Sequence, residues 1–381
     1  MKASPKDSKA KMVNEMVNNL LGEGIHMPNP VRDRKELRNE LEKSLLSINE
    51  LATKDPANRP KFKTFIIESN VENPAMIENA QIQKTSDESL NMLYLKDRLF
   101  YVDSADKRFW LIYTIEKSFE ATNILQDFID KEKSMLDNVW FSSNNLMDIN
   151  SKGKPFSFGV KYENRFLEDK ETESAFEDMS MQVRGGNPQA IISLLKENPN
   201  TQNGVRISRV GIKIGDDLRE EISFNGKFLI RRGIDIQSHF DLLKDVRDYY
   251  KEIINKVEGK YRVYGEYNET FKSFSVKGNT LTLEFAKPLE NLDAFCDVLF
   301  SGSEPFKLLG VKYMLDDGYY KIFAVDLHSY HKITIELWHE YMRIYLARNT
   351  CGNVITRLYA NLERYFQPNI KLYGADDERI V

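Results

Sequence analysis

Two stretches of this chain carry the same landmarks in the same order, and that repetition limits the architectures open to it more than any other feature. Residues 117–129, Lys-Ser-Phe-Glu-Ala-Thr-Asn-Ile-Leu-Gln-Asp-Phe-Ile, align without gaps on residues 287–299, Lys-Pro-Leu-Glu-Asn-Leu-Asp-Ala-Phe-Cys-Asp-Val-Leu. The offset is 287 − 117 = 170. Gly186-Asn187 precedes one expected helix as Gly352-Asn353 precedes another, 166 residues on. Pro199-Asn200 is echoed by Pro368-Asn369 at an offset of 169. A repeat this long predicts two similar domains or one pseudo-symmetric domain, not a solenoid of short units.

Hydrophobic periodicity fills in the elements between these landmarks. Leu37, Leu41, Leu45, Ile48 and Leu51 recur at helical spacing from about Asp33 to Ala52, after a shorter stripe (Val13, Met16, Val17, Leu20) over 10–21. Strand-like runs follow at 62–68, 93–102, 109–115, 136–142, 156–162, 178–184 and 205–214, with helices over 118–132 and from Asn187 to about Glu197. Asn225-Gly226 predicts a type I′ hairpin turn. Ser238-x-x-Asp241 reads as a capping box for a helix that Gly259 ends. Strands at 260–267, 271–276, 280–285, 306–315 and 319–327, a helix at 288–300, one long strand at 332–346, a helix at 353–366 and a short strand at 370–373 follow. The apolar phase of that long strand flips near Trp338-His339-Glu340, which predicts a bulge or bend.

Each copy therefore reads β-α-β-β-β-α-β, antiparallel-rich and preceded by a long helix, which makes the class α+β. The expected organisation is an N-terminal helical arm over 1–55, a first copy over 56–214 and a second over 215–381. The arm packs on the first copy or mediates self-association, with packing the ordinary use of an amphipathic helix. The element order resembles that of the saddle-forming repeats of the TATA-box-binding protein, a likeness of topology alone.

Composition narrows the class of function. The 381 residues carry a net charge of −4, too small for a dedicated polyanion coat. Two cysteines, Cys296 and Cys351, cannot build a disulfide framework or a four-cysteine zinc site. The N-terminus has no secretory apolar segment, and no run approaches the roughly 18 apolar residues of a spanning helix. The expectation is a cytoplasmic protein, and the Lys- and Asn-rich composition suggests a prokaryotic one.

The chemistry-bearing residues are few. Arg348-Asn-Thr-Cys351-Gly352-Asn353 leads from a strand into a helix, a place where free N–H groups and the helix dipole favour anions. Cys351 and Arg357 stand in a C-x5-R spacing that resembles the loop of cysteine phosphatases. That resemblance implies a thiolate nucleophile and a phosphate-gripping guanidinium. The loop has one glycine, and Leu358 stands where those enzymes carry Ser or Thr, so a capped helix with a buried cysteine is the competing reading. Arg184-Gly-Gly-Asn187 occupies the equivalent turn of the first copy, where a structural turn or a second anion site would fit. His328, His331 and His339 cluster in sequence without a metal-ligand spacing. Residues 154–162 alternate aromatics in a way that faintly resembles the stacking strand of RRM domains, and that any core strand also shows. Arg206, Arg209, Arg231 and Arg232 could form a basic band.

No nucleotide loop, dinucleotide glycine pattern or catalytic elbow is present in the sequence, and no cofactor is expected. The leading expectation is a binding protein that presents a duplicated sheet surface to a polymer or protein partner, nucleic acid among them. The alternatives are a phosphate-ester hydrolase using Cys351 and Arg357, and a scaffold that self-associates through its N-terminal helices.

Overall fold

The apolar patterns resolve into seven helices and nineteen strands among the described residues, the strands falling into sheets of eleven and eight, an α+β fold. The computed structural model describes residues 31–51, 62–116, 118–163, 178–185, 187–197, 205–367, 369–375 and 378–380. The helix expected over 10–21 and the landmarks Gly186, Pro199, Asn200 and Pro368 lie outside the described residues. Two compact units are interleaved along the chain. One takes the described residues up to Lys131 with Lys213–Glu220 and Lys227–Leu243; the other takes Glu132–Ile212, Glu221–Gly226 and the residues from Lys244 onward.

The first unit holds α1 (Arg34–Leu51), β1 (Lys63–Ser69), β2 (Gln81–Lys84), β3 (Leu90–Leu95), β4 (Arg98–Asp103), β5 (Phe109–Thr114) and α2 (Ser118–Lys131). Its strands pair antiparallel in the order β2-β3-β4-β5-β1. Every residue of β1 and β5 is buried, so both faces of the sheet are covered there. Leu37, Leu41 and Leu45 bury the apolar stripe of α1. Arg34 ties that helix to Asp103 at 2.5 and 2.9 Å and to Asp87 at 2.5 Å.

The second unit contains β6 (Leu136–Asn138), α3 (Ser143–Asn150), β7 (Lys154–Glu163), β8 (Asp178–Arg184) and α4 (Pro188–Glu197). The strands β9 (Ile207–Ile214) and β10 (Leu218–Ser223), then β11 (Lys227–Arg232) and α5 (Ile236–Lys260), carry the chain between units. There follow β12 (Arg262–Asn268), β13 (Ser273–Lys277), β14 (Leu281–Glu284), α6 (Leu292–Leu299), β15 (Leu308–Asp316), β16 (Tyr319–Asp326), β17 (Lys332–Leu337), β18 (Tyr341–Ala347), α7 (Asn353–Tyr365) and β19 (Lys371–Tyr373). The eight-stranded sheet runs β13-β12-β18-β17-β16-β15, with β14 beside β18 and β19 beside β14. Ile322, Ile333, Ile335, Met342, Ile344 and Leu346 point from it into a core shared with Phe295, Leu299, Val354, Leu358 and Leu362. All thirteen residues of α7 are buried. That helix lies inside the unit, and each polar group on it must find a partner there.

Several local expectations are corrected. The phase flip at residues 338–340 is a chain reversal: β17 and β18 are two antiparallel strands, Ile333 opposite Leu346 and Leu337 opposite Met342. Reversal restores the inward face after the turn as a bulge would, which is why the sequence could not separate them. The run at 93–102 is likewise a hairpin, with Lys96 and Asp97 both at positive φ, 47° and 62°. At Asn225-Gly226 only Gly226 is left-handed, φ 75°, and its N–H reaches the Ser223 carbonyl at 3.1 Å. The turn is therefore a type I turn closed by a glycine bulge, not type I′. The cap of α5 is Asp235, which accepts from the Ser238 N–H at 3.0 Å, so the helix starts before the expected box.

The duplication is not what the strand order shows. From residue 109 the elements run β-α-β-α-β-β-α-β, and from 281 they run β-α-β-β-β-β-α-β. In the first stretch β5 pairs with β4 and β1, outside the stretch; in the second β14 pairs with β18 and β19, inside it. The added helix α3 arises from Ser142, whose hydroxyl accepts from the Asn145 N–H while Asn145 bonds back to the Ser142 N–H, a reciprocal cap.

Candidate functional site

Arg357 is fully buried on α7, and each nitrogen of its guanidinium has a partner. It donates to Asp137 and to Asp326, and its Nε reaches the Phe306 carbonyl at 3.0 Å. Asp137 also accepts from Asn353 at 3.0 Å, from the Lys307 ammonium at 3.2 Å and from the Trp140 indole at 3.3 Å. Lys307 is buried as well, and holds a left-handed backbone, φ 54°. Asp326 accepts from Ser329 through the hydroxyl at 2.6 Å and the N–H at 3.0 Å. Two carboxylates and two cations thus balance in charge within one unit. Burial disfavours the ionised form of Asp137, but Lys307 and Arg357 outweigh it and hold the carboxyl well below the usual range. Asp326 is lowered in the same way, burial opposing and Arg357 prevailing. Burial also works against the Arg357 charge, and Asp326 and Asp137 overcome it, raising the pKa.

The C-x5-R spacing therefore serves a buried ion cluster. Each of the three guanidinium nitrogens of Arg357 already donates to a carboxylate or a carbonyl, and the side chain is fully buried, which is the setting of a structural ion cluster and not of a phosphate grip. Cys351 is buried. The anion expected at the start of α7 is the chain's own: the Gly352 N–H donates to Glu258 at 2.8 Å, and Arg262 holds Glu258 at 3.1 Å. Packing favours glycine at 352, since a Cβ there would lie a tight 3.1 Å from the Ile254 carbonyl. Asn353 joins Asp137 to Tyr250, whose hydroxyl also meets Thr356 at 2.7 Å. Arg348 is exposed and lies over the Tyr264 ring, 5.1 Å from its centroid.

The basic band does not form as expected. Arg206 is fully buried, paired with Glu363 at 3.0 Å and bonded to Ser143 and the Ile207 and Ala360 carbonyls. Burial lowers its pKa against the pull of Glu363. Arg184 and Arg209 share the buried Glu221 at 3.6 and 3.3 Å, while Arg231 and Arg232 belong to the other unit, Arg232 beside Asp217 at 3.7 Å. Asn187 caps α4, accepting from the Ala190 N–H at 3.3 Å. Phe158 and Val160 of the aromatic strand are core residues. His331 and His339 sit at opposite ends of β17, separated by at least about 20 Å of extended chain. His328 is buried, donating to the Lys133 carbonyl at 2.9 Å. The three histidines cannot converge on one ion.

One arrangement had no signal in the sequence. Glu220 accepts from His239 Nδ1 at 2.6 Å, and His239 Nε2 shares a hydrogen bond with the Thr64 hydroxyl at 2.9 Å. This is the order of groups that activates a hydroxyl nucleophile, but all three are fully buried. It locks β1 to the start of α5 within the first unit. The partners stand 19 and 175 residues from His239, so no local motif could announce them.

What the second unit offers to solvent is the outward face of its eight-stranded sheet. Strand register maps it: Leu309 opposes Val325, Val311 opposes Phe323, and Tyr313 opposes Lys321. The next strands add Thr334, Glu336, Tyr345 and Arg343. The β17–β18 side is polar and internally satisfied. Glu336 accepts from the Tyr345 hydroxyl at 2.7 Å and lies 3.9 Å from Arg343 and 4.0 Å from Lys321. Tyr319, Trp338 and Tyr341 stack in one row with centroids 4.6 Å apart. The β15–β16 side is apolar: Leu309, Val311, Tyr313, Leu315 and Phe323 are each 51–59% exposed. In sequence β15 places apolar residues at both parities, Leu308 and Met314 on one and Leu309, Val311 and Tyr313 on the other, so alternation alone does not single out the open face.

The described residues define a mixed α+β protein whose Arg357 cluster is turned inward and whose eight-stranded sheet carries exposed apolar side chains on its outward face. The chain belongs to the MJECL33-like protein family, whose model matches residues 26–381. It is 26% identical over 351 residues to the uncharacterized protein MJECL33 of Methanocaldococcus jannaschii, covering 80% of this chain and 84% of that relative. No helix among the described residues is long and apolar enough to cross a membrane.

Proposed function

We propose that this is a binding protein that docks another protein on the outward face of its eight-stranded sheet. The strip Leu309, Val311, Tyr313, Leu315 and Phe323 carries the reading. Leu309, Val311 and Tyr313 alternate along β15 with Phe323 opposite Val311, and such a run of large exposed apolar side chains is the sort of patch that marks an interaction site. Aromatic and aliphatic groups are the composition of an interface core, and Lys321 with the paired polar groups on β17 and β18 suits its rim. The two buried thiols fit a reducing cytoplasm. Hydrolysis at Cys351 and Arg357 gains no support from a buried thiol and a buried guanidinium tied to Asp137, Asp326 and the Phe306 carbonyl. Assembly through the N-terminal helices gains little, since Leu37, Leu41 and Leu45 of α1 are spent inside its own unit.

A photo-cross-linking residue at Val311 tests the reading in cells, with the exposed position Glu42 on α1 as control. Discrete protein adducts from position 311 and none from position 42 are expected. Equal labelling from both positions would remove the proposal. An adduct that loses mass on nuclease treatment would instead assign the face to nucleic acid, with the Tyr319–Trp338–Tyr341 row as its stacking platform.

A further inference from the structure

The second unit has another exposed apolar surface. Among the described residues, β12 and β13 pair from Tyr264 onward only with each other, Gly265 opposite Val276 and Tyr267 opposite Phe274. The ribbon joins the sheet only where Arg262 and Val263 meet Leu346 and Ala347. All five residues of β13 are exposed, so the ribbon has no covered face. Phe271, Phe274 and Val276 are 76–78% exposed, and Tyr267 is half exposed. An isolated two-stranded hairpin is marginal in water, and one that displays four large apolar side chains needs something to lie against.

We propose that the occupant of the β15–β16 strip is the β12–β13 arm of a second copy of this chain, exchanged reciprocally in a two-fold dimer. This rests on the reading of the strip as a protein-docking face. Area decides for a second copy. At roughly 100 Å² per half-exposed side chain, the strip or the arm alone offers on the order of 500 Å², short of the about 800 Å² per partner of a stable interface. A second copy covers both at once, because each protomer gives one arm and receives another, and the sum reaches that size. A two-fold axis requires only that one molecule carry both complementary surfaces, and this unit does. The shapes suit each other: a narrow ribbon with aromatic side chains on one element, a flat strip on the other.

Sedimentation of the full chain over a wide concentration range gives the first measurement. Wild type should sediment at twice the chain mass, and Phe271→Ser with Phe274→Ser should sediment as the monomer with unchanged secondary structure. The second measurement locates the contact by cysteine cross-linking, the native thiols being buried. Phe274→Cys chains mixed with Val311→Cys chains should form a covalent dimer, and Val311→Cys alone should not. Covalent dimers from Val311→Cys alone would mean that β15 edges pair directly, and would overturn arm exchange. A monomeric wild type that still gives foreign protein adducts at position 311 would overturn the second copy and leave the docking face standing. A monomer with no adducts would remove both.

Discussion

Arg357 shows how a residue can carry a catalytic-looking spacing for structural reasons. Its charge is stabilised only because Asp137 and Asp326 face it, and Lys307 completes the balance. Truncating one partner of such a cluster leaves an uncompensated buried charge, which costs about 3–5 kcal/mol. Arg357→Leu should therefore lower unfolding stability by about that amount in urea titration. Arg357→Lys should also destabilise, because one ammonium cannot serve two carboxylates and the Phe306 carbonyl in the guanidinium's fork geometry. A lysine variant as stable as wild type would contradict this account. The spacing itself was legible in the sequence, as was its position before a helix. The partners were not: Asp137 lies 220 residues from Arg357 and Asp326 lies 31, and no periodicity links them. Arg206 fails as an exposed contact for the same reason, its partner Glu363 standing on a helix that hydropathy alone does not mark as wholly buried.

At the level of elements, period and punctuation carried far. The helices at 34–51, 118–131 and 353–365 and most strands follow directly from apolar spacing. The errors cluster where two geometries give the same pattern. A hairpin and a bulge both restore phase, as at residues 338–340, and a run of apolar residues hides a two-residue turn when that turn is Lys96-Asp97. Helix α3 was missed because its cap uses Asn145 in place of Glu or Gln, and because Val139, Trp140 and Phe141 before it look like strand. If Ser142 defines that helix start, Ser142→Ala should cost about 1 kcal/mol, and Ser142→Asp should retain most of the stability. Denaturant midpoints for the two variants that coincide would show that the cap is not what fixes α3.

For the molecule as a whole, the chain passes between the two units five times, at 131/132, 212/213, 220/221, 226/227 and 243/244. Boundaries of that kind leave no linker composition to read, which is why a cut at 214 looked natural from repeated landmarks. Acid response provides a test that spans both units. In the second, Asp137 and Asp326 titrate below the ordinary carboxylate range. In the first, Asp87 is lowered too, burial opposing while Ser89 and Arg34 prevail. A carboxylate with a depressed folded pKa adds stability that is complete above its unfolded value, about 3.9, and is lost as pH falls through the folded one. The opposite end follows from Cys296, whose thiol burial pushes up to about 12; that contribution is whole below about 8.5 and fades as pH rises toward 12. Stability in urea should thus be flat from about pH 5 to 8 with respect to these groups and should fall steeply below about pH 4. Added salt should do little to soften the acid limb, because the Asp137 and Asp326 pairs are buried and weakly screened. Asp137→Asn should lower stability at pH 7 and flatten the acid limb, since the variant has one fewer proton to gain on unfolding in acid. An acid limb in Asp137→Asn as steep as in wild type would mean that the cluster on α7 is not what acid dismantles.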